Sequence, residues 1–188
     1  QYVVQELQAE FIQVDRGFFY SMRELFLRPG NTIRDFISGK RVKQYKPMSY
    51  VILLSIIHAF LEHFFDRNPF IEDFLTGFTE SLKGKISKPG IQNFFQVLDW
   101  LIINYAYTAL LLIPVFSLAS YWAFRRARFN YFEHLVLNTY TFGQITVIFI
   151  LSLPLYYLLP STGYTLDYLR IVLAIGFTFW SYFQFFNK

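Results

Sequence analysis

The chain has no cysteine, which excludes disulfides, thiolate metal sites, iron–sulfur clusters and cysteine nucleophiles. Charge is scarce as well: 16% of residues are Asp, Glu, Lys or Arg, against 54% hydrophobic and 22% aromatic. A water-facing surface carries more charge than that, so the chain is not composed as a soluble domain. The short motifs of hydrolytic and phosphoryl chemistry are missing too. There is no G-x-S-x-G elbow, no H-E-x-x-H helix and no phosphate-binding glycine loop. The net charge of +4 comes without any RNA- or DNA-binding motif, so nucleic acid is not an expected partner. Residues 1–14 lack the cationic start and small-residue cleavage site of a signal peptide, and an upstream segment is left open.

What is present is aromatic and aliphatic. The 24 Phe and 14 Tyr exceed what a small soluble core can bury, whereas lipid-facing positions and the interfacial belt accept them. Long uncharged stretches predict four membrane spans, at about 48–65, 100–124, 135–159 and 166–186. The first is short and carries His58, Glu62 and His63; the second contains Pro114, and the third Asn138, Gln144 and Pro154. Residues 66–99 form a polar connection, and the PSTGYTLD turn precedes the fourth span.

Residues 1–47 read as amphipathic segments preceding this 48–188 transmembrane domain. Val4, Leu7, Phe11 and Val14 recur at helical spacing; Phe18, Met22, Leu25 and Phe26 share one face of a second helix that Pro29-Gly30 stops. A third, short helix is expected from a Thr32 cap with Asp35 three residues on, ending at Gly39. The fold class is therefore an all-α integral membrane protein, four transmembrane helices preceded by amphipathic cytoplasmic interfacial helices.

Six of the twenty residues from Arg28 to Pro47 are Lys or Arg, against one acid, and a second basic cluster is Arg125, Arg126 and Arg128. The connection 66–99 is balanced, with four basic and five acidic residues, and the last turn has no Lys or Arg. The positive-inside rule then places both clusters and both termini in the cytoplasm. Arg34, Lys40, Arg41, Lys43, Lys46, Arg125, Arg126 and Arg128 are candidate contacts for anionic lipid; ordinary topological anchoring explains the same charges.

The run RGFFYSMRELFLRPGNTIRDFISGKRVKQYKPMSYVILL, residues 16–54, resembles an uncharacterised bacterial membrane family, domain of unknown function 3667. The landmarks are Arg16-Gly17-Phe18, Arg28-Pro29-Gly30, Gly39-Lys40-Arg41 and Tyr45-Lys46-Pro47, with a weaker similarity at FNYFEHLV, residues 129–136. The resemblance implies a polytopic inner-membrane protein without assigned activity. Family members usually carry an N-terminal zinc ribbon of paired cysteines; this sequence has none, so zinc is not carried over.

Two constellations could carry chemistry. His58, Glu62 and Asp66, at i, i+4 and i+8, form a stripe on the first span that suits a proton relay or cation site, or else a helix end reaching water. His134, Asn138, Thr141 and Gln144 fall at helical spacing on the third span, where they either line a pathway or bond neighbouring helices. Haem between His58 and His134 is disfavoured because the two sit at different depths. No catalytic, metal or cofactor residue is assigned; bound phospholipid is the one expected companion. The expected function is a non-enzymatic accessory or scaffold subunit of an inner-membrane complex, in contact with lipids and with other subunits or itself. The alternative is a small oligomeric transporter or lipid-handling protein using the His58 stripe.

Overall fold

The computed structural model describes residues 17–64, 96–97, 100, 105–158 and 163–187, among which every regular element is helical. The amphipathic segment 1–14, Asp66 and nearly all of the connection 66–99 lie outside the described residues. Helix α1 covers residues 17–27, α2 Pro29–Ile37 and α3 Pro47–Phe64. Then come α4 (Tyr105–Ala123), a 3-10 turn (Arg125–Ala127), α5 (Tyr131–Leu158) and α6 (Gly163–Phe186).

Local chemistry sets the boundaries. Arg28, at φ −151° and ψ 62°, is the single non-helical residue between α1 and α2. Pro29 follows as the first residue of α2, where a fixed φ suits the helix and the missing N–H is no loss. Helix α2 thus begins before Thr32, which is not its cap as expected. The Thr32 hydroxyl instead donates to the carbonyls of Arg28 at 2.9 Å and Glu24 at 3.2 Å, tying the end of α1 to the start of α2. Gly39 does end the helix, at φ +95°, with its N–H on the Phe36 carbonyl at 3.2 Å and the Lys40 N–H on that of Asp35 at 2.9 Å. Those two bonds are the Schellman pattern, which needs a left-handed residue after the cap. At α5, Asn130 and Glu133 cap reciprocally: Asn130 N–H donates to Glu133 Oε2 at 2.6 Å, and Glu133 N–H to Asn130 Oδ1 at 2.9 Å.

Helix α5 is the hub, packed on α2, α3, α4 and α6. Ser120 meets His134 while Phe116 meets Phe142, so α4 runs antiparallel to α5. Thr141 meets Ser181 while Tyr156 meets Asp167, so α6 does as well. Tyr50 meets Gln144 and His58 meets Phe149, so α3 runs parallel to it. At one end, Phe124 stacks on Phe186 with centroids 4.2 Å apart, Phe129 lies 4.5 Å from Phe185, and Arg34 Nη1 reaches the Asn187 carbonyl at 3.4 Å. Both basic clusters therefore sit at the same end of the bundle.

Among the described residues, two helices are long and apolar enough to cross a membrane: Tyr131–Tyr156 within α5, 26 residues, and Thr165–Phe186 within α6, 22 residues. At 1.5 Å per residue they reach about 39 and 33 Å, against roughly 30 Å of hydrocarbon. The apolar parts of α3 and α4, Pro47–Leu61 and Leu110–Ala123, are shorter. Half of the α5 window is buried but only 17% of the α6 window, which makes α5 the core and α6 a flank. The burial of α3 is one-sided: Tyr50, Val51, Leu54, Ser55 and His58 face inward, while Met48, Ile52, Ile56, Phe60 and Phe64 form an exposed apolar stripe four residues apart.

The apolar face of α1 turns onto protein. Leu25 is buried in the core with Ile33, Phe36, Leu137 and Phe185, and Phe18, Met22 and Phe26 pack against it. Two glycines permit the close fit. A Cβ on Gly30 would lie 2.3 Å from the Phe185 nitrogen and 2.5 Å from the Gln184 carbonyl carbon, both backbone; one on Gly143 would lie 2.7 Å from Tyr50 Cδ1, a ring edge that can turn. Gly30→Ala is expected to cost about 1–3 kcal/mol, lowering Tm in detergent more than Gly143→Ala does. Equal Tm values for wild type and Gly30→Ala would contradict the α2–α6 docking.

Candidate functional site

Polar side chains in the apolar helices first meet their own backbone. Hydroxyls of Ser117, Thr139, Thr141, Thr146 and Thr178 donate to the carbonyl four residues earlier, at 2.6 to 3.0 Å. This local bond is how a hydroxyl is tolerated where no water reaches it. The remaining interior polar groups gather in three layers along α5.

The layer at the collar end joins α4, α5 and α6. His134 is fully buried, with Nδ1 2.9 Å from Ser120 Oγ. Asn138 Nδ2 donates to Ser120 Oγ at 3.0 Å and to the His134 carbonyl at 2.8 Å, and Asn138 Oδ1 accepts from the Tyr182 hydroxyl at 2.7 Å. Thr141 Oγ1 lies 3.2 Å from Ser181 Oγ. The arrangement resembles a Ser–His pair, but both groups are buried and the third member is an amide, so the layer bonds helices and offers a substrate no approach.

The middle layer ties α3, α5 and the α1–α2 cap. The Tyr50 hydroxyl donates to Gln144 Oε1 at 2.7 Å, and Gln144 Nε2 donates to the Met22 carbonyl at 3.3 Å. The Tyr140 hydroxyl donates to the Tyr45 carbonyl at 2.6 Å, and the Tyr45 N–H donates to Ser21 Oγ at 2.7 Å.

The layer at the far end holds the interior charge. Arg170 on α6 is buried; its Nη1 donates to the Tyr156 hydroxyl at 2.8 Å and lies 3.5 Å from Asp167 Oδ1. The Tyr156 hydroxyl in turn donates to Asp167 Oδ1. The guanidinium carbon sits 4.4 Å from the centre of the Phe149 ring, and the buried His58 ring packs against the same Phe149 at 6.2 Å between centroids. His58 and Arg170 are thus brought to one aromatic ring from opposite helices.

The four residues of the α5 polar face are all buried but serve different neighbours: His134 and Asn138 turn to α4 and α6, Thr141 to α6, and Gln144 to α3 and α1. His58 lies in the far layer; nothing is described of the Glu62 side chain, and Asp66 is outside the described residues. Arg170 and Asp167 were not singled out from the sequence. The available signal was an Asp and an Arg three apart inside an otherwise apolar span, the spacing at which two side chains share a helix face. Among the described residues no group of three His, Asp or Glu is placed to hold a metal ion.

The collar cations divide into engaged and exposed. Arg28 pairs with Glu24 at 2.5 Å, and that hydrogen bond raises the Arg28 pKa above its ordinary value; Lys40 pairs with Asp35 at 3.1 Å. Arg34 bonds Asn31 and the Asn187 carbonyl, and Arg41 donates to the Phe36 carbonyl at 3.0 Å with its guanidinium 4.9 Å from that ring. Lys43, Lys46, Arg125, Arg126 and Arg128 are exposed and form no ion pair among the described residues.

Residues 15–58 match the family described as protein of unknown function, DUF3667. This stretch carries the domain of unknown function 3667. The match covers α1, α2 and α3 as far as His58. No curated protein and no solved structure matches the chain. The landmark residues of the DUF3667 region are fasteners. Gly30 lets α2 touch α6, Gly39 ends α2, Arg41 folds back onto Phe36, and both backbone groups of Tyr45 are tied, one to Ser21 and one to Tyr140.

A double-mutant cycle of Tyr50→Phe and Gln144→Leu is expected to give a coupling of about 0.6–1.7 kcal/mol by unfolding in detergent, the range for hydrogen bonds between membrane helices. Additive effects would remove the α3–α5 bond from the account.

Proposed function

We propose that this chain is a four-span protein of the bacterial inner membrane, with both termini and both basic clusters cytoplasmic, and that it acts as a non-enzymatic accessory or scaffold subunit. One observation carries the reading: the interior holds the polar side chains and the outside is apolar. Ser55, His58, His134, Asn138, Gln144 and Arg170 are buried, whereas Ile56, Phe60, Val115, Trp122, Val172, Phe179 and Phe183 are exposed. That distribution, the reverse of a soluble bundle, suits helices whose outer faces meet lipid or other subunits. It also supports α3 and α4 as spans despite their shorter apolar length, since short helices are accommodated by local thinning of the bilayer. The exposed cations at one end hold the depth, each attracted to anionic headgroups by about 1 kcal/mol.

A second reading, a small oligomeric transporter or lipid-handling protein, is favoured by the far layer, where an arginine, a carboxylate and a histidine lie inside apolar helices. Buried ionisable groups of this kind mark substrate pathways often enough to keep the reading in view.

The absence of cysteine makes the topology directly testable. Single Lys43→Cys and Arg126→Cys substitutions are expected to resist a membrane-impermeant thiol reagent in intact cells and react after lysis, while Ser161→Cys reacts in both. Labelling of Lys43→Cys in intact cells would reverse the orientation. For the function, purification in mild detergent followed by mass spectrometry is expected to retain a protein partner at fixed stoichiometry, with His58→Ala leaving that association intact. Recovery of a homo-oligomer without a partner would move the conclusion to transport.

A further inference from the structure

The His134 layer bonds three helices, although His134 Nε2 is buried without a hydrogen-bond partner among the described residues. The far layer differs in that its unmet donor belongs to a charged group. A guanidinium has five N–H donors, yet Arg170 gives its described bonds from Nη1 alone, to Tyr156 at 2.8 Å and toward Asp167 at 3.5 Å. Its Nε–H is buried without a hydrogen-bond partner, in a residue that is only 9% exposed. A buried donor left unmet is destabilising, and more so when charged. The Asp167 contact does not relieve it, because it is made by Nη1 and, at 3.5 Å, is too long for a strong charge-assisted bond. One face of the guanidinium lies on Phe149, which holds the group in place without using any of its donors.

We propose that Arg170 is a receptor for a single oxyanion, a phosphate or phosphodiester group, bound through its Nε–H and the adjacent edge of the guanidinium. Planar, pre-positioned guanidinium suits this ligand because two parallel N–H bonds match two oxygens of a phosphate. The site lies within two turns of the described ends of α5 and α6, and the Arg170 and Asp167 side chains remain 11% and 12% exposed, so the ligand approaches from that end of the bundle. Asp167 is the internal competitor: with the site empty it partly neutralises Arg170, and an incoming oxyanion takes its place. Free phosphate and a lipid headgroup share this chemistry. The inference rests on the second functional reading, and names the chemistry its ligand would have.

The test measures binding at equilibrium on the full chain in phosphatidylcholine nanodiscs, with inorganic phosphate as one probe and nanodiscs containing phosphatidylglycerol as the other. Saturating probe is expected to raise Tm by on the order of 5 °C. Arg170→Gln abolishes the rise with inorganic phosphate and diminishes that with phosphatidylglycerol, Arg170→Lys weakens binding at least about tenfold because the planar fork is lost, and Asp167→Asn tightens it because the competing charge is gone. Lys43→Gln with Lys46→Gln leaves the response to inorganic phosphate unchanged and lowers only the part of the phosphatidylglycerol response that Arg170→Gln spares. A response to inorganic phosphate identifies a soluble oxyanion, and a response to phosphatidylglycerol alone that Arg170→Gln diminishes identifies a headgroup. If neither probe raises Tm, or Asp167→Asn fails to tighten binding, the proposal is overturned, whether or not Arg170→Gln assembles. Because binding is read without flux, a protein that binds phosphate and transports nothing refutes the transport reading alone.

Discussion

The structure depends on one constraint: a polar group inside apolar helices has no water to fall back on. Each must be met by its own backbone or by another helix. Helix α5 is where these demands converge. Ser and Thr hydroxyls along it return to the preceding turn, while Asn138, Thr141, Gln144 and Tyr156 reach four different neighbours, α1, α3, α4 and α6. Apolar packing between such helices is non-directional and tolerates sliding; a tyrosine hydroxyl on one glutamine oxygen does not. The hydrogen bonds therefore set the register, and the aliphatic and aromatic contacts follow it.

The cap formed by α1 and α2 obeys the same rule from outside the spans. Pro29 starts α2 without an N–H to satisfy, Gly30 removes the side chain that would hold α2 away from α6, and Gly39 ends the helix so that the chain can turn into α3. Tyr45 then fixes the turn through both its backbone groups. The segment, whose Leu25, Ile33 and Phe36 belong to the core, is thereby locked to α5 and α6. The consequence for charge is direct. Arg28, Arg34, Lys40 and Arg41 are engaged with the cap itself, which leaves Lys43, Lys46 and the Arg125–Arg128 cluster turned outward at the same end.

Arg170 stands apart because the group that is only partly met there carries a charge. A buried charge is stabilised when its counter-ion lies close and every donor is used, and destabilising when one is left over. Tyr156 relays between Arg170 and Asp167, Phe149 supports the guanidinium face, and the buried Nε–H has no partner among the described residues.

Much of the architecture was legible in the residues. Helical content, the approximate ends of α3 to α6, the Gly39 stop and the two basic clusters follow from hydropathy, turn chemistry and charge, all of which act over a few residues. The DUF3667 landmarks were legible for the same reason, as Gly and Pro at positions with strict backbone demands. The start of α2 was misread at Thr32 because a capping pattern and a first-turn proline compete, and the proline prevails by fixing φ. Helical spacing placed His134, Asn138, Thr141 and Gln144 on one face of α5; it could not say that this face would be shared among four neighbours. That depends on which helices stand beside α5. The meeting of His58 with Arg170 across Phe149, between residues more than a hundred positions apart, belongs wholly to the tertiary structure, since nothing local to either residue specifies the other.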